Sequence, residues 1–234
     1  MLIIGESGCG KTTLLLRLLL FQEWLDYDSL YIFGKSLHQP EYKILKAGLD
    51  KGYSKANILS AINDGKGDID TFIKQLPKKS KAKCKVSYYE DAESIPDPRD
   101  VNAHKKNLFV FDDIMTDSKQ NTAEAYYTRG RHNNTSSIYI SQSYYKLPRQ
   151  TIRSNANVLV FFTLPKKDLY TIYDDFIQND MEWVEFNHFC NEAWKEPHGY
   201  IVINKTLPPD EGKSQHNFNR VYRPKRFSPL SKKA

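Results

Sequence analysis

Short apolar runs alternate with longer segments of helical periodicity along the chain. The clearest runs, Leu2–Ile4, Ser29–Phe33, Leu108–Phe111 and Val158–Phe162, are almost continuously apolar, as strands buried on both faces are. Alternation of such strands with helices is typical of an α/β domain with a mostly parallel central sheet and helices on both faces, and we predict that fold class.

Weaker patterns complete the predicted fold. Helices are expected over Thr12–Leu25, Gln120–Arg131 and Lys166–Ile177, and the first of these is apolar nearly all round, so it should lie centrally. Further strands are expected over three segments, Val86–Tyr89, Ser137–Ser141 and, as the last strand, Tyr200–Asn204. Glycines at 48, 52, 65 and 67 are expected to break the helical segments that follow the second strand.

The 234 residues fit one domain with an insertion. We predict a domain over 1–210, with an insertion at about 38–105 between the second and third core strands, and a basic tail over 211–234.

Composition narrows the class of protein. Hydrophobic residues make up 40% and aromatic residues 13%, which excludes a wholly disordered chain. The longest apolar run, Leu14–Phe21, is interrupted by Arg17 and is too short to span a bilayer, and no signal peptide is recognised. Three cysteines without metal-ligand spacing fit a reducing compartment, so an intracellular protein is expected.

Positive charge is concentrated in two segments. Lys plus Arg is 34 against 28 for Asp plus Glu, a net charge of +6. Much of the excess lies in Lys74–Lys85 and in the chain after Glu211, and these segments are either solvated surfaces or contacts for a phosphate backbone.

The strongest motif is GESGCGKT at 5–12, a full match to G-x-x-x-x-G-K-[ST] between a predicted strand and a predicted helix. Its glycines let the backbone wrap phosphate oxygens, Lys11 can reach the β- and γ-phosphates of ATP, and the Thr12 hydroxyl can bind Mg²⁺. The residues expected to contact the nucleotide are Gly5, Glu6, Ser7, Gly8, Cys9, Gly10, Lys11, Thr12 and Thr13.

Two later strands end in polar residues. Asp112 and Asp113 follow the apolar run at 108–111, and in an open α/β sheet that end of the strand faces the ligand crevice. Asp112 is predicted to hold Mg²⁺. Asp113 is predicted to orient the attacking water, with an altered backbone or a relay because Asp is shorter than the usual Glu. Gln142 ends the strand one helix later and is predicted to contact the γ-phosphate or that water.

An arginine that acts on a neighbouring subunit is a further expectation. Arg131, near the end of the predicted helix at 120–131, is our first candidate for such an arginine finger. Arg129, Arg149 and Arg153 remain alternatives, and a cationic cluster at a helix C-terminus is also favoured by the helix dipole alone.

With these motifs in order, the chain resembles the FtsK–HerA superfamily of P-loop ATPases, and within it the poxvirus-type genome-packaging ATPases of large DNA viruses, virophages and Polinton-like elements. The resemblance lies in four segments, Gly5–Thr13, Leu108–Asp113, Tyr126–Ser143 and Lys146–Phe162. The order RGRH, then a strand ending in SQS, then IRSNAN is more specific than the Walker motifs.

This resemblance implies a RecA-like core and an ATP- and Mg²⁺-dependent motor. It implies a homo-oligomeric ring, a hexamer or pentamer, that moves double-stranded DNA without sequence preference into a capsid, with a capsid or portal protein as partner and no membrane. It also implies a location in the host cytoplasm or viral factory, or in the virion.

The chain departs from the family pattern in two ways. The superfamily's bacterial pumps place a trans-acting arginine near the strand that here holds Val158 and Leu159, and only four residues precede Gly5. A truncated N-terminus or the loss of preceding elements is therefore expected.

Three other classes share the P-loop. A small-molecule or nucleotide kinase is disfavoured by the polar strand ends and by the lack of an arginine-rich lid segment, and a GTPase by the lack of an N-K-x-D segment. A nucleotide-dependent assembly factor without translocation stays open because Asp113 replaces the usual glutamate.

Overall fold

We describe the protein from a computed structural model, which covers residues 1–21, 25–64, 73, 84–114 and 121–224. None of the helices within these ranges is long and apolar enough to cross a membrane. Most of Lys74–Lys85, Gln120 and the last ten residues of the predicted tail lie outside the described residues.

The predicted fold class is confirmed: the chain is α/β, with a mostly parallel sheet. Nine strands are described, β1 (Leu2–Ile4), β2 (Ser29–Gly34), β3 (Lys85–Tyr89), β4 (Asn107–Asp112), β5 (Thr135–Ser141), β6 (Val158–Phe161), β7 (Ile201–Asn204), β8 (Ser214–His216) and β9 (Arg220–Tyr222). Their order in the sheet is β3-β2-β4-β5-β1-β6-β7-β8-β9.

The described α-helices are α1 (Lys11–Leu20), α2 (Pro40–Asp50), α3 (Lys55–Asp64), α4 (Asn121–Arg129), α5 (Lys166–Ile172) and α6 (Trp183–Ala193). The chain divides into two compact units: a first unit of Thr12–Tyr139, and a second unit of Met1–Lys11 with Ile140–Ala234.

In the first unit, β2 is paired in parallel with β4 on one side and with β3 on the other, in the registers Ser29↔Asn107 and Ser29↔Lys85. All six residues of β4 are buried, and the Tyr31 ring stacks on Phe109 with centroids 4.3 Å apart. The predicted insertion therefore contributes an edge strand, β3, and two helices, α2 and α3.

Gly48 does not break a helix, contrary to our expectation. It lies inside α2, where an added Cβ would be 2.5 Å from Cγ1 of Ile58 in α3. The missing side chain lets the two helices approach closely, and this outweighs the low helix propensity of glycine.

The first helix is shorter than predicted. It ends at Leu20, and the Tyr27 hydroxyl donates a hydrogen bond of 2.7 Å to the Leu19 carbonyl, which the helix end leaves without a partner in the helix. Its leucines are buried, as expected for a central helix.

In the second unit, β1 pairs in parallel with β6, and β7, β8 and β9 continue the sheet in antiparallel fashion. The prediction that Tyr200–Asn204 is the last strand is wrong, because β8 and β9 follow it within the segment that we expected to be a tail. The predicted helix at 166–177 is α-helical only to Ile172 and continues as a π-helix over Tyr173–Ile177.

Candidate nucleotide site

The phosphate-binding motif forms the loop between β1 and α1, the predicted context. Gly8 and Gly10 have φ values of 77° and 111°, which glycine adopts without strain. A Cβ on Gly5 would lie 2.6 Å from the Cys9 Sγ and 3.0 Å from the Phe162 Cβ, so no other residue fits there without displacing a neighbour. These glycines give the loop its tight curvature.

Lys11 is held against the loop by backbone carbonyls. Its Nζ donates hydrogen bonds to the carbonyl oxygens of Gly5 at 2.7 Å and of Glu6 at 2.8 Å. The Cys9 Sγ lies 4.0 Å from the same nitrogen, and burial raises the pKa of the Cys9 thiol, with the Lys11 charge acting in the opposite direction. The ammonium group thus stays at the loop that would hold the phosphates.

His198 contacts the loop and was not identified from the sequence. Its Nδ1 lies 3.1 Å from the Cys9 carbonyl oxygen and 3.5 Å from the point where a Cβ of Gly10 would stand. The backbone of His198 is left-handed, with φ 56°, and a Cβ on the next residue, Gly199, would lie 1.9 Å from the Ala193 carbonyl oxygen. This tight turn after α6 is what brings the imidazole to the loop.

Gln142 directly follows a strand end that is bonded to the loop. The Gly5 N–H donates to the Ser141 carbonyl at 3.1 Å, and Ser141 is fully buried. Asp168, buried at the start of α5, accepts hydrogen bonds from the Ser143 hydroxyl at 2.9 Å and the Tyr145 N–H at 2.7 Å. Gln142 is exposed between these two anchored positions.

Asp112 is the last residue of β4 and is 7% exposed. Its Oδ2 accepts a hydrogen bond of 2.6 Å from the Tyr42 hydroxyl, and Gly34 on β2 approaches it so closely that an added Cβ would lie 3.0 Å from the Asp112 carbonyl oxygen. Burial, and then the Asp112 charge, raise the pKa of Tyr42 well above its ordinary value. Sequence reasoning missed Tyr42, which lies in the insertion.

Asp113 is exposed and adopts a left-handed backbone with φ 51°. Aspartate tolerates this conformation better than most residues. The predicted role of Asp113 in orienting the attacking water, for which the sequence led us to expect an altered backbone or a relay, stays a prediction.

The four candidate arginines differ in their surroundings. Arg129 and Arg131 are exposed, at the end of α4 and in the following 3-10 turn. Arg153 is buried, and its Nη1 lies 3.0 Å from the Asp175 Oδ2. The exposed Arg149 lies 3.6 Å from the Asp175 Oδ1. Arg153 is therefore engaged within its own chain, whereas Arg131 lies at the surface.

Three cations of the predicted tail have partners within the chain. Lys213 pairs with Asp180, Arg220 donates to Glu196 at 2.9 Å, and Arg223 donates to the Asp210 carbonyl at 3.0 Å. The described part of this segment is thus bound to the second unit by polar contacts. Across the residues that the structure covers, no three His, Cys, Asp or Glu side chains gather into a metal cluster.

Comparison with solved structures gives the fold. The genome packaging NTPase B204 from Sulfolobus turreted icosahedral virus 2 in complex with AMPPCP matches with a TM-score of 0.50 and 15% identity, over 88% of this chain and 91% of that chain. The complex of the same protein with ATP-gammaS matches with a TM-score of 0.50 and 13% identity, with the same coverage. VirB4 of Thermoanaerobacter pseudethanolicus matches with a TM-score of 0.49 and 12% identity, over 92% of this chain and 87% of that chain. Neither a protein-family model nor a curated protein sequence matches this chain.

At these identities the likeness to B204 establishes the fold. The neighbours include a viral genome-packaging NTPase, the class to which the sequence motifs pointed.

Proposed function

We propose that this chain is an ATPase motor that couples ATP hydrolysis to the movement of double-stranded DNA into a viral capsid. The observation that carries the proposal is that three polar motifs lie at the ends of three sheet strands: the phosphate-binding loop follows β1, Asp112 ends β4 and is followed by Asp113, and Gln142 follows β5. The likeness of the fold to a genome packaging NTPase that binds AMPPCP and ATP-gammaS supports it.

The nucleotide would be held first by its phosphates. The loop over Gly5–Gly10 presents backbone N–H groups, and the N-terminus of α1 adds positive partial charge. Lys11, now bonded to the Gly5 and Glu6 carbonyls, would exchange these for β- and γ-phosphate oxygens. Glu6, Ser7, Gly8, Cys9, Thr12 and Thr13 complete the set of proposed contacts.

The residues present fit a Mg²⁺ ion. Thr12 in the first turn of α1 offers a hydroxyl, and Asp112 offers a carboxylate, both oxygen donors of the kind that Mg²⁺ prefers alongside substrate phosphates and water. When bound, the ion would neutralise charge on the β- and γ-phosphates.

Hydrolysis needs an oriented water molecule. In our proposal Asp113 accepts a hydrogen bond from the water that attacks the γ-phosphorus, and Gln142 contacts that water or a γ-phosphate oxygen. As the new P–O bond forms, the bond to the ADP oxygen breaks and the water proton passes to solvent or phosphate. The exposed Arg131 of a neighbouring subunit in a ring would stabilise the charge of the transition state.

The DNA contacts would be made to phosphates, because a motor that accepts any sequence cannot depend on base edges. Exposed cations of the ring would supply them, and affinity should then fall linearly on a log–log plot against salt.

ATP turnover with and without double-stranded DNA tests the proposal. We expect low basal hydrolysis that DNA stimulates and that Lys11→Ala or Asp112→Ala abolishes. Lys46→Ala is the matched control, because the Lys46 side chain is half-exposed on α2 and pairs with Asp50 one turn away at 2.8 Å. That variant should hydrolyse ATP like the unaltered protein.

Other outcomes would identify other functions. A DNA-indifferent enzyme that transfers phosphate to a small acceptor is a kinase, and the motor proposal is then wrong. Nucleotide binding without turnover, in the presence of DNA, would identify an assembly factor. Particle size in solution with ATP and DNA reports whether a ring forms.

A further inference from the structure

The insertion supplies a hydroxyl to the end of β4. The Tyr42 hydroxyl on α2 donates to the Asp112 Oδ2 at 2.6 Å, across 70 positions of sequence. This length falls in the range of O–H···O⁻ hydrogen bonds, which are shorter and stronger than neutral ones. Both residues belong to the first unit.

Tyr42 is itself held in place from two directions. Its side chain is fully buried, and its ring meets that of Tyr88 edge to face with centroids 6.4 Å apart. The Tyr88 hydroxyl donates to the Tyr42 carbonyl at 2.8 Å, which ties α2 to the edge strand β3. A phenol restrained in this way has little freedom to leave the carboxylate.

The Asp112 backbone is restrained as well. Gly34 on β2 pairs with Asp112 in the parallel register, and an added Cβ there would lie 3.2 Å from the Asp112 Cβ. The backbone of Asp112 is thus fixed by the sheet, and the remaining freedom is rotation of its side chain. The Tyr42 hydroxyl acts on that rotation.

We propose that Tyr42 is a positioning residue that sets the orientation of the Asp112 carboxylate toward Mg²⁺. The proposal rests on the function proposed above, in which Asp112 holds the ion. It gives the insertion a role, because α2 carries the hydroxyl and β3 braces it. Hydrogen bonds to a ligating carboxylate commonly contribute 10–100-fold to metal affinity or activity.

The test is the Mg²⁺ dependence of binding to a fluorescent, non-hydrolysable ATP analogue, which does not depend on turnover. In Tyr42→Phe the half-saturating Mg²⁺ concentration should rise about tenfold or more. Affinity for the analogue without Mg²⁺ should not change, because the phosphate-binding loop is intact.

Tyr126→Phe is the matched control. Tyr126 is 2% exposed and stacks on Phe109 of the same strand β4 at 3.9 Å, but its hydroxyl donates to the Pro96 carbonyl at 2.7 Å and not to Asp112. A general loosening of the first unit would affect both variants, whereas a positioning role affects Tyr42→Phe alone.

A double variant separates a positioning role from poor folding of Tyr42→Phe. Asp112→Ala removes the carboxylate, and in that background Tyr42→Phe should shift the Mg²⁺ dependence no further if the two residues act as one unit, whereas poor folding would add a further shift. An additional shift of similar size in the double variant would overturn the proposal.

The outcomes separate this inference from the proposed function. If nucleotide binding by the unaltered protein does not depend on Mg²⁺, both the positioning role of Tyr42 and the proposed function are contradicted. If binding by the unaltered protein depends on Mg²⁺, and the half-saturating Mg²⁺ concentration is the same in the unaltered protein, Tyr42→Phe and Tyr126→Phe, then the positioning role alone is contradicted.

Discussion

The imidazole Nδ1 of His198 lies 3.1 Å from the carbonyl oxygen of Cys9. The contact joins the turn after α6 to the phosphate-binding loop, across 189 positions of sequence. The turn is strained at His198, whose φ is 56°, so the contact is maintained at some conformational cost.

Replacing His198 should weaken nucleotide binding. His198→Ala removes the contact, and we expect affinity for a fluorescent ATP analogue to fall about fivefold, since one hydrogen bond contributes roughly 1 kcal/mol. His198→Asn is the control, because asparagine tolerates the left-handed backbone and keeps a donor. Equal affinities in His198→Ala and the unaltered protein would show that the loop needs no support from this turn.

Filling the space between α2 and α3 should destabilise the first unit. In Gly48→Ala the new Cβ would stand 2.5 Å from the Ile58 Cγ1, and overpacking of this kind costs roughly 1–3 kcal/mol. Urea unfolding measures the loss. Adding Ile58→Ala removes the clashing atoms, so the double variant should lose less than the sum of the two single variants. Strict additivity would contradict the close helix approach.

Replacing Arg153 should lower the stability of the protein, whereas replacing Arg131 should lower its ATP turnover. The Asp175 carboxylate pairs with Arg153 and also accepts a hydrogen bond from the Tyr144 hydroxyl at 2.9 Å. Arg153→Ala removes the buried cation from this carboxylate, which should lower the free energy of unfolding by roughly 3 kcal/mol. Arg131 is exposed, so Arg131→Ala should change stability by no more than about 0.5 kcal/mol while it lowers ATP turnover.

Mixing variants separates these arginines further. Arg131→Ala protomers mixed with Lys11→Ala protomers should recover part of the turnover, because each supplies what its neighbour lacks. Recovery with Arg153→Ala mixtures but not with Arg131→Ala mixtures would assign the finger to Arg153 instead.

Strand β9 gives the protein a pH-dependent contact. The Tyr222 hydroxyl donates to the Glu185 Oε1 at 2.9 Å, and burial, then this hydrogen bond, raises the pKa of Tyr222 to about 12. The ordinary pKa of tyrosine is about 10, so the folded state favours the neutral phenol. The contribution of this hydrogen bond to the free energy of unfolding is full below pH 10 and is lost as the pH rises toward 12. The difference in unfolding free energy between the unaltered protein and Tyr222→Phe should therefore shrink over that interval. A constant difference in urea titrations from pH 9 to 12 would contradict it.

The core strands and the phosphate-binding loop could be predicted because their signals are local. Leu108–Phe111 is a continuous apolar run, and GESGCGKT needs only its neighbours to form a loop. The segments Ser214–His216 and Arg220–Tyr222 carry no such run. The first forms a strand because β7 offers an edge to pair with, and the second pairs in turn with β8. Tertiary pairing, not local pattern, determines those elements.

Tyr42 and His198 could not be predicted for the same reason. Tyr42 and His198 lie far in sequence from Asp112 and Cys9, and no spacing rule connects them. Their positions follow from packing: the close approach of α2 to its neighbours and the tight turn before Gly199.

The left-handed backbone of Asp113 also determines which substitution gives a clean test of its proposed role in hydrolysis. Asparagine keeps the φ of 51° at little cost and removes the charge, so Asp113→Asn changes the chemistry while it preserves the strand end. Glutamine or alanine at this position would also be strained in the left-handed backbone. A loss of activity in those variants could then come from the changed conformation or from the lost carboxylate. The backbone conformation alone therefore limits which residues fit at this position, whatever its chemical role.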